Sequence, residues 1–450
     1  MYTLVRILGF RDLLLLFIGS IIGSGLFLVP GGILRQVGGS VTLALLVWVA
    51  GGVLSLLGAL TYAELSASNP EAGGLYCFIR DAFGPLSAFL YGWSLFLVIA
   101  SGSIAALARA FSTYTAEVLP LSSLGAKLVA VVMIAVLTAV NVWGTRKSSD
   151  LQNWTTLAKA GVILIISAIL LSLGHHFSES ARALWAPQPA GSILSSFGLA
   201  MIAVLWAYEG WQFCTYSGGE VVDPQRNFPR AFLAGMLASI GIYLLANVAY
   251  LAALGPSGAA RTDAIAATSI AAVLGGSAAK IVALTILVST FSAANSVLLT
   301  APRVFYAMAA DKLFFRKLAE VHPKFLTPAF AVTALGVWSA VLAVAGNFTE
   351  LIGGVIFIGW IFYGLGAASI FPLRRIAAQT ARPYSTPGYP WTPALFVLAA
   401  AALVANAIYA AVGDPNGFKH LTVGFVLFVL GLPAYYLWRW RSRRGHPAAA

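Results

Sequence analysis

The chain has 450 residues, of which 60% are hydrophobic and only 9% charged, and its mean hydropathy is +0.88. A soluble domain of that size could not carry so much apolar surface, so the composition places the chain in a bilayer and excludes a water-soluble enzyme. The net charge of +12 invites a nucleic-acid partner, but the basic residues sit between apolar runs in a pattern that reports membrane topology instead.

A crossing needs about 20 apolar residues. Twelve spans can be placed, at 10 to 36, 41 to 66, 85 to 115, 124 to 144, 153 to 174, 194 to 221, 231 to 254, 278 to 308, 327 to 346, 350 to 371, 391 to 412 and 419 to 439. Of the 27 lysines and arginines, nineteen fall on one side of this arrangement. Arg35, Lys127, Arg182, Arg261, Lys280 and Lys419 fall on the other, and Arg109 and Lys159 lie within spans. That bias puts the richer side in the cytoplasm, and an even number of spans puts both termini there. The Arg439 to Arg444 cluster reads as a stop at the membrane surface, with anionic headgroups as an alternative partner. No cleavable signal is apparent, so the first span is expected to direct insertion. Cys77 falls in a cytoplasmic loop and Cys214 within a span, where pairing is not to be assumed.

Span one carries Ile21-Ile22-Gly23-Ser24-Gly25-Leu26-Phe27. A helix can open at membrane depth only where the freed backbone groups face protein, water or a ligand. If it breaks at these glycines, the first half ends in unpaired carbonyls and the second begins with unpaired N–H groups. An amino acid zwitterion fits that gap: its carboxylate on the N–H groups of Ser24, Gly25 and Leu26, its ammonium on carbonyls near Ile21. The competing reading is small residues for tight helix packing.

Further along, residues 68 to 85 are too polar to span, and the period around Tyr76 to Phe83 predicts a short interfacial helix. Arg109 in span three reads as a structural or gating partner. Lys159 in span five has no exposed face near its own position. It could snorkel, gain and lose a proton, or occupy the place of a sodium ion. Span six contains Trp206-Ala207-Tyr208-Glu209-Gly210-Trp211, an acid and a glycine among aromatics in an apolar stretch. Carbonyls at Trp206 and Ala207 would add acceptors for the ammonium, Trp206 could close as a lid, and Glu209 either takes part directly or holds the break open. In span eight, Asn295 could bond a break or another helix.

The interrupted spans are one and six, about 185 positions apart, and Asp311 to Pro328 matches the polar stretch before span three. Two five-span halves follow, at 10-175 and 194-371, with 391-439 as an added helix pair in one transmembrane unit over 1-450. An odd number of spans per half makes the repeat inverted, and the substrate pocket is expected where the two breaks meet. The fold class is therefore all-α integral membrane.

IIGSGLF in span one, GTRKSSDLQNWTTLAKA leading into span five, AYEGW followed by GGEVVDPQRNFPRA, and STFSAANSVLLTAPRVFYAMAADKLFFRKLAEVHPKFLTP together resemble the amino acid/polyamine/organocation superfamily. Within it the resemblance is to the L-type amino acid transporter branch, and it covers essentially the whole chain. It implies a LeuT-type fold and sodium-independent amino acid transport. It carries carboxylate binding onto Ser24 and Gly25, and ammonium binding onto the backbone carbonyls of Ile21, Trp206, Ala207 and Glu209. The gate falls on Trp206, and Lys159 becomes the lysine that stands in for sodium. Animal members of the branch join a heavy chain through a cysteine after span three. Residues 116 to 124 contain none, so a stand-alone bacterial inner-membrane protein with no disulfide-linked heavy chain is expected. Position 209 is Glu where those members have a glycine.

A membrane enzyme would need a nucleophile with its base or a metal cluster, and His175-His176 lacks zinc-ligand spacing. A channel would show a selectivity filter or charged ring. A non-transporting sensor with this fold stays as a minor alternative. The apolar Gly353-Gly354-Val355-Ile356-Phe357 and Trp206 predict a neutral amino acid cargo, moved by exchange, with no cofactor. Proton-coupled symport through Lys159 and a cationic amino acid or polyamine antiporter through Glu209 are the alternatives.

Overall fold

The computed structural model describes residues 3–184, 193–346, 348–377, 382–413 and 417–444. Lys419, Arg441, Arg443, Arg444 and the Gly353-Gly354 pair are helical positions at which only the backbone is described. In hydrocarbon each backbone polar group must be bonded within its own segment, and the described chain is accordingly helical throughout.

In order the helices are α1 (Phe10–Ile21), α2 (Gly25–Gln36), α3 (Val41–Ser68), α4 (Leu75–Phe83), α5 (Pro85–Ser94), α6 (Ala100–Ala116), α7 (Ser123–Val142), α8 (Thr145–Leu173), α9 (Phe177–Ala183) and α10 (Ile193–Ala207). They continue as α11 (Pro224–Ala260), α12 (Ile265–Leu274), α13 (Ala279–Thr300), α14 (Pro302–Ala310), α15 (Ala329–Ala345), α16 (Phe348–Ala368), α17 (Ile370–Ile376), α18 (Trp391–Gly413) and α19 (Gly417–Arg444). Eight spans among the described residues are long and apolar enough to cross a bilayer: α3, α5 through α6, α7, α8, α11, α13 through α14, α16 through α17, and α18. A ninth is the pair α1 and α2, bent by 44° at its break. The other expected spans correspond to α10 with the short 3-10 turn Trp211–Tyr216, to α15 with 17 residues, and to α19 with 28.

Helix α1 lies in the middle, packed on α8, α11 and α13. Close approach is set by small residues. A Cβ on Gly19 would stand 2.2 Å from Thr156 Oγ1, and one on Gly235 would stand 2.5 Å from the Phe17 ring, which meets Phe232 at 4.8 Å.

The expected interfacial helix is α4, and it joins the two matching polar stretches. Tyr76 donates to Asp311 Oδ2 at 2.8 Å, and Arg80 reaches Asp311, Asp81 and Glu71 at 3.0, 2.8 and 3.0 Å. Cys77 is buried on this helix, and burial pushes its thiol well above the usual cysteine range. The second stretch is not a helix like α4: it holds only the 3-10 turn Arg316–Ala319.

Segments near both ends of the described chain, at Ile7-Leu8 and at Trp438, lie on this same face. The N–H groups of Ile7 and Leu8 donate to Glu220 O, each at 2.9 Å, and Trp438 packs against Phe314 and Phe315. Arg303, one of the nineteen charges that the sequence places on the cytoplasmic side, is fully buried there. It donates to Glu220 through Nε at 2.5 Å and Nη2 at 2.9 Å, and Nη2 also reaches Thr145 Oγ1 at 2.8 Å.

Candidate functional site

Helix α1 stops at Ile21 and α2 starts at Gly25, leaving Ile22, Gly23 and Ser24 outside both. Ile22 still donates to Ile18 O, but its ψ of 89° takes the chain off the helical path. The freed carbonyls of α1 are claimed by three side chains from other helices. Lys159 Nζ donates to Gly19 O at 2.6 Å and Ile22 O at 2.5 Å. Ser289 Oγ donates to Ile22 O and Gly23 O at 3.0 and 3.1 Å. The Tyr243 hydroxyl lies 2.9 Å from Ile21 O and 2.8 Å from Ala207 O, tying the two breaks together.

The other side of the break is unsatisfied. Phe27 N–H bonds Ser24 O at 3.1 Å, whereas the N–H groups of Ser24, Gly25 and Leu26 meet no backbone or side-chain acceptor among the described residues. These are the positive end of a half-helix.

The two breaks cross at glycines. A Cβ on Gly25 would stand 2.9 Å from Ala207 Cβ and 3.4 Å from the Trp206 ring. Gly210 has a φ of 124°, which favours glycine, and a Cβ there would stand 2.3 Å from Ser20 O. Between them lies a cavity of about 90 Å³. Ile21, Ser24, Gly25, Trp206, Ala207 and Glu209 all line it, joined by Ser103 and Ala106 of α6, Ala293 and Val297 of α13, and Val355 of α16.

Two predicted site residues lie elsewhere. Leu26 is fully buried off the cavity wall, so only its backbone N–H belongs to the α2 terminus. Lys159, 1% exposed, stands behind the break against the α1 carbonyls and not in the cavity. Glu209 accepts from Tyr363 OH on Oε1 at 2.9 Å, while its Oε2 is buried with no partner among the described residues.

Sequence reasoning missed Tyr243, Ser289 and Tyr363. Each is a hydroxyl side chain in a largely apolar helix, a pattern that also fits a local bond to its own helix, so the signal was weak. Asn295 does join other helices, accepting from Asn141 at 2.9 Å and donating to Gln152 at 2.9 Å. Among the described residues no group of His, Cys, Asp or Glu could hold a metal ion.

Crowding at Gly25 makes a direct test. Gly25→Ala forces α2 away from Ala207, an overpacking of about 1 to 3 kcal/mol, and substrate affinity is expected to fall about tenfold. Affinity by isothermal titration on the purified variant checks this, and an unchanged value removes Gly25 from the cavity wall.

Residues 8–432 match the amino acid permease family. The chain is 31% identical to the serine/threonine exchanger SteT of Bacillus subtilis (strain 168), over 95% of this chain and 96% of that protein. It is 30% identical to the b(0,+)-type amino acid transporter 1 of Rattus norvegicus, over 99% of this chain and 91% of that protein. Identity to the large neutral amino acids transporter small subunit 2 of Homo sapiens is 32%, over 93% and 78%.

Proposed function

We propose that this chain, which belongs to the amino acid permease family in the L-type branch of the amino acid/polyamine/organocation superfamily, exchanges neutral L-amino acids without sodium by alternating access. It is a multi-pass membrane protein, and its cargo is an amino acid. The observation that carries the finer reading is the row of unpaired N–H groups at Ser24, Gly25 and Leu26 facing a cavity that the carbonyl ends of α1 and α10 also line. A carboxylate belongs at the first and an ammonium at the second. Ser103, Ala106, Ala293 and Val355 leave an apolar space for a side chain of moderate size.

The Lys159 ammonium sits where a monovalent cation would bind a ring of carbonyls, so a fixed charge takes the role of sodium. Trp206 borders the cavity beside Gly25 and acts as the gate. Twelve spans in a LeuT-type 5+5 repeat are supported by the crossing of the two breaks. A bacterial inner-membrane location with the basic face and both termini in the cytoplasm follows the charge bias. A disulfide-linked heavy chain is not expected, since residues 116 to 124 lack the cysteine that would link one.

Proteoliposomes without sodium test this: uptake of radiolabelled neutral amino acids is expected only with an amino acid inside. Uptake into empty vesicles driven by a proton gradient would replace exchange by symport.

A second reading, a cationic amino acid or polyamine, rests on the unpartnered Glu209 Oε2 at the cavity. Glu209→Gln keeps an acceptor for Tyr363 and removes the charge, so neutral uptake is expected to stay within about threefold, less than one charged hydrogen bond would contribute. Loss of a cationic substrate alone in that variant would favour the second reading.

A further inference from the structure

At the basic face, away from the substrate cavity, the end of α3, helix α17 and the start of α11 line a second cavity of about 270 Å³. Its charged lining is Glu64, Arg374 and Arg382. Glu64 is used up: Arg374 donates to it through Nε at 2.8 Å and Nη2 at 2.6 Å, and Thr386 N–H adds a bond at 2.6 Å. Arg374 is also held by the Tyr389 ring, 3.6 Å from its Cζ. Its position is therefore fixed before any ligand arrives.

Arg382 has no carboxylate of its own. Its Nε is 3.9 Å from Glu64, and its Nη2 donates to Arg374 O at 3.2 Å. The Nη1 groups of both arginines meet no acceptor among the described residues. Two guanidiniums against one carboxylate leave an excess positive charge, and Arg375 next along α17 is exposed. Asp81 accepts from Asn69 at the cavity wall but is itself paired with Arg80 at 2.8 Å. Beside the arginines and the polar Ser68, Asn69 and Gln225, the lining is apolar, with Leu65, Ile370, Leu373 and the outward-facing Ile376.

The geometry points to a binding site for the phosphate of an anionic phospholipid, seated on Arg374 and Arg382 with the lipid's apolar part along α17. Planar guanidiniums match phosphate oxygens, and basic pockets between spans on a cytoplasmic side suit anionic headgroups. The apolar wall distinguishes a lipid from free phosphate, which has nothing to place there.

The delipidated full chain in neutral detergent, mixed with phosphatidylglycerol, phosphatidylcholine or inorganic phosphate and read by native mass spectrometry, tests this. The intact protein is expected to retain phosphatidylglycerol over phosphatidylcholine. Arg382→Gln should lower that retention about fivefold, one arginine contributing about 1 kcal/mol, and Arg382→Lys should restore part of it. Arg382 is the position to change, because replacing Arg374 would strand Glu64 and threaten folding. Arg316→Gln, an exposed charge outside the cavity, should leave retention unchanged. Equal retention in the Arg382→Gln protein, equal loss in the Arg316→Gln protein, or displacement of the lipid by inorganic phosphate overturns the assignment.

Discussion

Lys159→Met is expected to lower amino acid uptake about a hundredfold while the protein still folds. Methionine matches the length of the lysine stem but donates nothing. Gly19 O then loses its side-chain donor and Ile22 O keeps only Ser289. A hydrogen bond to a charged group contributes about 1.5 to 3 kcal/mol, and the two here act at the end of the half-helix that must move against α8 and α13. Losing about 2.7 kcal/mol corresponds to that hundredfold. Uptake in proteoliposomes, alongside elution on size-exclusion as a check on folding, measures it. Sodium-dependent partial recovery in Lys159→Ala would support the ammonium as a cation stand-in, since the vacated carbonyls could then accept an ion. Unchanged uptake would remove Lys159 from the transport cycle.

Arg303→Met is expected to destabilise the protein by about 3 to 5 kcal/mol, the cost of leaving one partner of a buried ion pair uncompensated. Glu220, 1% exposed, would keep Thr145 as a donor at 2.7 Å but no counter-charge. Glu220 also lies where the N-terminal segment docks on the chain after the second break, so the loss reaches the closure of the whole basic face. The double variant Arg303→Met with Glu220→Gln removes both charges and should recover much of the stability. Thermal unfolding in detergent of the two singles and the double decides the matter. A double variant no more stable than Arg303→Met would mean that packing of the guanidinium stem, and not the charge pair, supports this face.

Both variants bear on what could be read without coordinates. The break in span one was legible because Gly23 and Gly25 flank a serine where an unbroken apolar helix was otherwise due. The one in span six was legible because Glu209 and Gly210 interrupt aromatics. Lys159 was legible as an anomaly, an ammonium in a hydrocarbon-length run, although its partners were not. The burial of Arg303 was not legible. The residue sits at the end of a span, where an arginine ordinarily reaches water, and nothing nearby in the chain announces Glu220 or Thr145.

Composition, charge bias and glycine-bearing interruptions act within about twenty residues of chain, the length of one crossing. By themselves they determined an all-helical membrane protein, its basic face and the two places where its helices open. Pairing across the bundle was decided only in three dimensions. Tyr243 bridging Ile21 and Ala207, Ser289 on the carbonyls of the break and Tyr363 on Glu209 are separated by 36 to 267 positions from their partners. A lone hydroxyl in an apolar helix satisfies local rules equally well by bonding its own backbone. Tertiary packing alone brings it beside a carbonyl that another helix has left unpaired.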